Sequence, residues 1–279
     1  MSNSNNIKVA FIGGGNMARS LIGGLIADGC KPDNILVSDP NPNQCHALSA
    51  QFGVTVVEDN NAAVAKADVA VLAVKPQAMH TVATALADVV QSNRPLLVSI
   101  AAGIREPDLR RWLGGDVALV RTMPNTPALV GSGATALFAN RWVSEAQREL
   151  AESIMRAVGL TIWVEDETLL DSVTALSGSG PAYFFLVMEA MEQAGIELGL
   201  SPDDARLLTL QTAFGAAKIA LESDEGPGTL RERVTSPGGT TEQAIKTLRE
   251  GGLEALFSKA LKAAHARSQE LGKLLGGGS

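Results

Sequence analysis

Apolar residues recur along this chain in two successive rhythms. In the first part, short apolar runs alternate with amphipathic stretches. Ile7 to Ile12 (IKVAFI), Asn34 to Val37, Asp68 to Val74 (DVAVLAV), Pro95 to Ile100 and Val117 to Thr122 read as strands. Between them, Met17 to Ala27, Asn43 to Gln51 and Gln77 to Val90 carry apolar residues at helical spacing. Strands alternating with helices predict βαβ units, a parallel sheet and right-handed crossovers.

After about Thr161–Val164 the rhythm changes, and from Glu165 onward no strand is predicted. Leu169 to Ala175, Ala182 to Leu198, Pro202 to Leu221, Thr229 to Val234, Thr241 to Arg249 and Leu253 to Leu275 read as helices. Ser201-Pro202 supplies an N-cap and a first-turn proline, and Gly199 stops the helix before it. Pro181 to Leu200 is apolar around much of its circumference, so it must be buried on several sides. A homodimer built from these helices would bury it. Gly276 to Ser279 is read as a flexible tail outside the fold.

The loop after the first strand carries the first candidate chemistry. Gly13, Gly15 and Ala18 form G-x-G-x-x-A between a strand and a helix. Gly13 suits the tight turn, Gly15 lets a pyrophosphate approach the backbone, and Ala18 permits close helix–strand packing. The helix start adds N–H donors and a favourable dipole. The predicted class is therefore α/β, a Rossmann-type doubly wound sheet over residues 1–164 followed by an all-helical domain over 165–279. The second strand ends at Ser38-Asp39-Pro40. Asp39 fits two roles: accepting from the adenosine ribose, which favours NADH over NADPH, or capping the turn ahead of the next helix. Arg19 either offsets that charge or faces solvent.

Three more segments stand at predicted strand ends, where ligands bind in such sheets: Ala73-Val74-Lys75-Pro76, Ser99 to Gly103, and Met123 to Pro127. Lys75 could serve as a catalytic acid but reads rather as a surface or cofactor-contact charge, and Asn125 as a polar contact or a turn residue. Ser236-Pro237-Gly238-Gly239-Thr240-Thr241 leads into a helix and makes a second anion site, which a carboxylate fits as well as a phosphate. Thr240 and Gln243 fit a capping box there. Ser177-Gly178-Ser179-Gly180-Pro181 serves either close helix contact or a tight pocket.

Composition narrows the functions. The chain has 279 residues, 46% hydrophobic and 19% charged, with net charge −7 and no basic patch, which argues against a nucleic-acid partner. Cys30 and Cys45, and His46, His80 and His265, lack metal-type spacing, so no metal is expected. The N-terminal MSNSNN lacks a signal-peptide core, and the apolar run Ala182 to Met188 is far short of the ~20 residues of a membrane span. A cytoplasmic protein with no membrane association is expected.

Six segments in order carry a resemblance: FIGGGNMA (11–18), AVKPQ (73–77), VSIAAG (98–103), RTMPNTPALVGSGAT (121–135), LSGSGPAY (176–183) and RVTSPGGTTEQAI (233–245). Together they resemble pyrroline-5-carboxylate reductases over almost the whole length. The resemblance implies reduction of pyrroline-5-carboxylate to proline by NADPH or NADH. It implies cofactor contacts at Ile12, Gly13, Gly14, Gly15, Asn16, Met17, Ala18, Ser38, Asp39, Asn60, Ala73, Val74, Lys75, Pro76, Ile100, Ala101, Ala102 and Arg233. Substrate contacts would be Glu167, Ser236, Gly239, Thr240 and Thr241. The helical domain would bind substrate and form a homodimer, assembled in some members into a decamer. On this basis the amides of Gly239 to Thr241 would hold the substrate carboxylate, and the Thr241 hydroxyl would stand near the ring nitrogen as the catalytic side chain. Asp39 departs from members with a small or basic residue there, which leaves the choice of nicotinamide nucleotide open. Two other functions fit less of the chain: a β-hydroxyacid dehydrogenase using Lys218, and a non-catalytic NADH sensor.

Overall fold

A computed structural model of the chain describes residues 7–277. The N-terminal hexapeptide and the last two residues of the glycine tail lie outside the described residues. The strands are β1 (Val9–Ile12), β2 (Ile35–Ser38), β3 (Thr55–Val56), β4 (Val69–Leu72), β5 (Leu96–Ser99), β6 (Leu119–Met123), β7 (Gly133–Ala139) and β8 (Gly159–Trp163). They form one sheet in the order β3-β2-β1-β4-β5-β6-β7-β8. β1, β2, β4 and β5 are buried along their full length, which explains their unbroken apolar runs.

The order reverses at β1, which pairs in parallel with both β2 and β4. In an open parallel sheet, ligands bind beyond the strand carboxyl ends at this switch point. Helices α1 (Asn16–Ala27), α2 (Pro42–Phe52), α3 (Asn60–Val64), α4 (Pro76–Asn93), α5 (Glu106–Trp112) and α6 (Glu145–Arg156) connect the strands. Two apolar layers result. Phe11, Ile22, Val37 and Ile154 belong to one, and Ile12, Leu72, Met79, Leu86 and Leu109 to the other.

β7 is an unpredicted strand, and it makes the sheet mixed. It runs antiparallel to β6, with Arg121 opposite Phe138, and parallel to β8. Among the described residues no strand follows β8, as the sequence predicts.

The helices that follow are α7 (Leu169–Val173), α8 (Gly180–Glu197), α9 (Pro202–Glu222), α10 (Pro227–Arg233), α11 (Thr240–Glu250) and α12 (Leu253–Gly276), with a π-helical turn at Thr174–Gly178. Packing divides the chain into two compact units. One holds the residues up to Ser179 together with the chain from Ala264 on, and the other is Gly180–Ala263. The strand-to-helix change at residue 164 thus lies inside the first unit. Gly276, read from sequence as part of a flexible tail, instead ends α12 and is buried.

The helical unit has almost no interior of its own. On α8, Phe184, Phe185 and Leu186 are each about two-thirds exposed, and on α9 Leu207 and Phe214 are equally so. Contiguous apolar exposure of this kind marks an interaction surface.

Candidate active site

The glycine loop joins β1 to α1. Gly13 adopts φ +104°, and a side chain there would press on the Ala73 carbonyl at 2.7 Å. The Ala73 amide donates to the Ile12 carbonyl (2.8 Å), so the ends of β1 and β4 are locked side by side. The Gly13 amide donates to the Ser38 carbonyl (2.8 Å). Gly15 is the N-cap of α1; it makes no side-chain cap, and a Cβ on it would meet open space. Ala18 is buried against the core beneath. No acidic residue stands in the first turn of α1. Helix-start amides without a side-chain cap, open space above a glycine and a first turn free of acidic residues fit a dinucleotide pyrophosphate.

Within the protein frame Asp39 takes the turn role that the sequence offered and adds a tie to the glycine loop. Its Oδ2 accepts from the Gly14 amide (2.7 Å) and its Oδ1 from the Asn41 amide (2.8 Å). The N-cap of α2 is Asn41 itself. Arg19 turns to Gln51 on α2, Nη1 to Oε1 3.1 Å. Ser38 is buried, and Asn60 opens α3 behind its cap Asp59.

Ala73 and Val74 are half-buried, Lys75 is exposed at the N-cap of α4, and Pro76 follows at N1. Ile100, Ala101 and Ala102 leave β5, with Ala101 5% exposed. The residues Ile12 to Ala18, Ser38, Asp39, Ala73 to Pro76 and Ile100 to Ala102 therefore gather at the carboxyl ends of β1, β2, β4 and β5.

Glu167 is already engaged within its unit. Its Oε1 accepts from the Arg121 guanidinium and from the Glu106 amide, both at 2.5 Å. Arg121 is 8% exposed, a buried cation in an otherwise apolar strand. Sequence reading singled out neither Arg121 nor the Glu106–Asn140 bond (2.9 Å) beside it. A lone arginine in VALVRT was the only signal.

Asn125 is a structural bracket. Its Nδ2 donates to the Ser177 carbonyl and hydroxyl (both 3.2 Å), and its Oδ1 accepts from the Ala134 amide (2.8 Å). Gly178 would collide with the Met123 side chain if it carried a Cβ, so the small residues there serve close contact.

In the helical unit, the N-cap of α11 is Gly239, without a side-chain cap. The expected capping box at Thr240 is therefore not formed; Thr240 is the first helical residue, and Glu242 reaches back to the Gly238 amide (2.8 Å). The Gly239 amide is also unavailable, since it donates to the Ser236 carbonyl (3.0 Å). The Thr240 and Thr241 amides, in the first turn, have no intrahelical acceptor. Thr241 is half-buried while Ser236 and Thr240 are exposed. Arg233 pairs with Glu225 (2.7 Å). Lys218 meets only Glu222 at 3.8 Å on an exposed face, with no second polar group to make an acid–base site. Among the described residues no cluster suits a metal ion, and no helix is long and apolar enough to cross a membrane.

Known proteins share this architecture. Residues 8–103 match the family described as NADP oxidoreductase coenzyme F420-dependent, and residues 167–271 match pyrroline-5-carboxylate reductase dimerisation. The pyrroline-5-carboxylate reductase of Pseudomonas aeruginosa is 55% identical over 269 residues, 96% of this chain and 98% of the relative. A solved pyrroline-5-carboxylate reductase from Coxiella burnetii superposes with a TM-score of 0.92 at 49% identity, covering 96% of this chain and 99% of that one. That of Plasmodium falciparum, solved with NADP bound, gives 0.85 at 29% identity, over 96% and 99%. With such identity over nearly its whole length, this chain belongs to the pyrroline-5-carboxylate reductase family.

Proposed function

We propose that this chain reduces 1-pyrroline-5-carboxylate to L-proline with a nicotinamide nucleotide. One observation carries the reading. Among the described residues, three helix starts have glycine N-caps and no side-chain cap: α1 behind Gly15, α10 behind Gly226 and α11 behind Gly239. Of these, α10 has only seven residues and a proline in its first turn, which leaves α1 and α11 as the starts with a full set of amides. Asn41, Ser144 and Ser201 cap α2, α6 and α9 in the ordinary way. An uncapped start behind glycine is a seat for an anion. We assign α1 to the cofactor pyrophosphate and α11 to the substrate carboxylate.

When bound, the reduced nicotinamide supplies the hydride. A protonated imine is already electrophilic, so the residues' main task is to hold the reactants in line, which is worth several kcal/mol. The Thr240 and Thr241 amides orient the carboxylate. The Thr241 hydroxyl, half-buried and without a protein partner among the described residues, stands as the group nearest the ring nitrogen. Ser236 and Gly239 shape the loop, and Arg233, released from Glu225, contacts the nucleotide. Asp39 favours NADH, because a carboxylate beside the ribose repels a 2′-phosphate.

The exposed apolar faces of α8 and α9 support a homodimer through the helical part of the chain, which also binds substrate; decamers would be built from such dimers. A cytoplasmic setting belongs to the same proposal. The deciding assay follows nicotinamide absorbance with pyrroline-5-carboxylate and, separately, with a 3-hydroxy acid. Turnover of the imine alone is expected. Oxidation of the hydroxy acid instead, or binding of NADH without any turnover, overturns the reading.

A further inference from the structure

The segment Ile100 to Gly103 leaves β5 at the ligand end of the sheet, where the Ile100 amide donates to the Leu72 carbonyl (3.3 Å) and Ala101 is buried. Its one local side-chain bond is long, the Ala101 amide to Ser99 Oγ at 3.4 Å. Gly103 sits in the left-handed region at φ +76°.

The end of α12 lies against this segment. A Cβ on Gly103 would meet Leu275 Cδ1 at 3.3 Å and Leu271 Cβ at 3.7 Å. Leu275 also packs on the core layer beneath β4 and β5. A Cβ on Gly272 would stand 3.2 Å from Arg105 Nε and 3.5 Å from the Gly103 carbonyl, and one on Gly276 would overlap the Asp108 carboxylate. Polar ties fix the register. Ser268 Oγ donates to Asp171 Oδ1 (2.6 Å), Arg105 pairs with Asp171 (3.4 Å), and Arg111 Nη2 donates to the Gly276 carbonyl (3.1 Å).

We propose that the last turns of α12, through Leu275 and Gly272, are a positioning element for the cofactor, setting the backbone of Ile100 to Gly103 for its nicotinamide end. The inference rests on the cofactor site proposed above. Packed interiors transmit a displaced contact instead of absorbing it, so a lost Leu275 side chain reaches the loop.

The test measures the Kd of NADH and of NADPH by fluorescence titration, which needs no turnover and so stands apart from the choice of substrate. Leu275→Ala and Gly272→Ala are compared with Leu274→Ala, the adjacent leucine, which is 65% exposed. For the better-bound nucleotide, a Kd at least fivefold weaker is expected in Leu275→Ala, with Leu274→Ala within twofold of wild type. Gly272→Ala, the milder change, serves alone if Leu275→Ala does not fold, with at least threefold expected. Hydrogen exchange of the Ile100 to Gly103 amides should quicken in the same variants. Unchanged Kd in both variants, or equal weakening in all three, overturns the inference.

Discussion

The Asp39 carboxylate holds the Gly14 amide of the phosphate loop at 2.7 Å. One side chain thereby links the end of β2 to the turn after β1, and in the proposed cofactor site its charge would face the adenosine ribose. Two roles meet in one residue. Asp39→Ser removes the charge and weakens the tie. We expect the ratio of kcat/KM for NADPH over NADH to rise tenfold or more, about 1.4 kcal/mol. An unchanged ratio would reduce Asp39 to a loop and turn residue.

Thr241→Val keeps shape and removes the hydroxyl. With pyrroline-5-carboxylate, kcat/KM should fall at least tenfold, again about 1.4 kcal/mol. Kinetics close to wild type would remove Thr241 from the chemistry.

Glu167→Ala strands Arg121, a cation 8% exposed, and leaves the Glu106 amide without its acceptor. Breaking such a pair from one side costs about 3–5 kcal/mol. At ~2–4 °C per kcal/mol for a domain of this size, the melting temperature should drop by roughly 6–20 °C in a thermal scan. A variant as stable as wild type would free Glu167 for a role in substrate binding alone.

Phe185→Glu introduces a charge on α8 where the aromatic ring is 64% exposed in the single chain. If a second copy covers that face, sedimentation velocity should report monomers at micromolar concentration. Persistence of the dimer would move the interface off this part of α8.

Glu152 on α6 takes the Trp163 indole N–H (3.0 Å), the Thr161 hydroxyl (3.1 Å) and Arg156. These donors, the Trp163 bond foremost, hold its carboxyl below the usual carboxylate range. A folded-state value below the unfolded one gives stability that is present above the unfolded pKa and is lost as pH falls through the folded one. Glu152→Gln should therefore melt below wild type at pH 7, and the gap should close as the pH is lowered below about 4. A gap that stays constant would show that the charge contributes nothing.

The parts legible in the sequence are those written locally. The phosphate loop is a strand, three glycines and a helix in immediate succession, and β1, β2, β4 and β5 announce themselves by unbroken apolar runs. β7 does not. GATALFA is mostly apolar without a clear alternation, and neither its antiparallel pairing with β6 nor the Asn125 side chain that accepts from the Ala134 amide nine residues on is written in it. The Arg121–Glu167 pair spans 46 residues and has no local signature. At α11 the pattern Thr-x-x-Gln was present, but Gly239 competes for the N-cap position, where glycine is also accepted. The end of α12 was misread because a glycine run suggests a loose tail, whereas here its first member fits where no side chain could.

The contact of Gly13 with Ala73 has a consequence for the order of biosynthesis. The loop is encoded within the first 18 residues, yet its tight turn is braced by a backbone made about 60 residues later. At roughly 5–20 residues per second, a nascent chain carries that sequence for several seconds before β4 exists to set it. The ribosome thus delivers the proposed cofactor seat unfinished, and on that reading nucleotide capture during synthesis waits for the fourth strand.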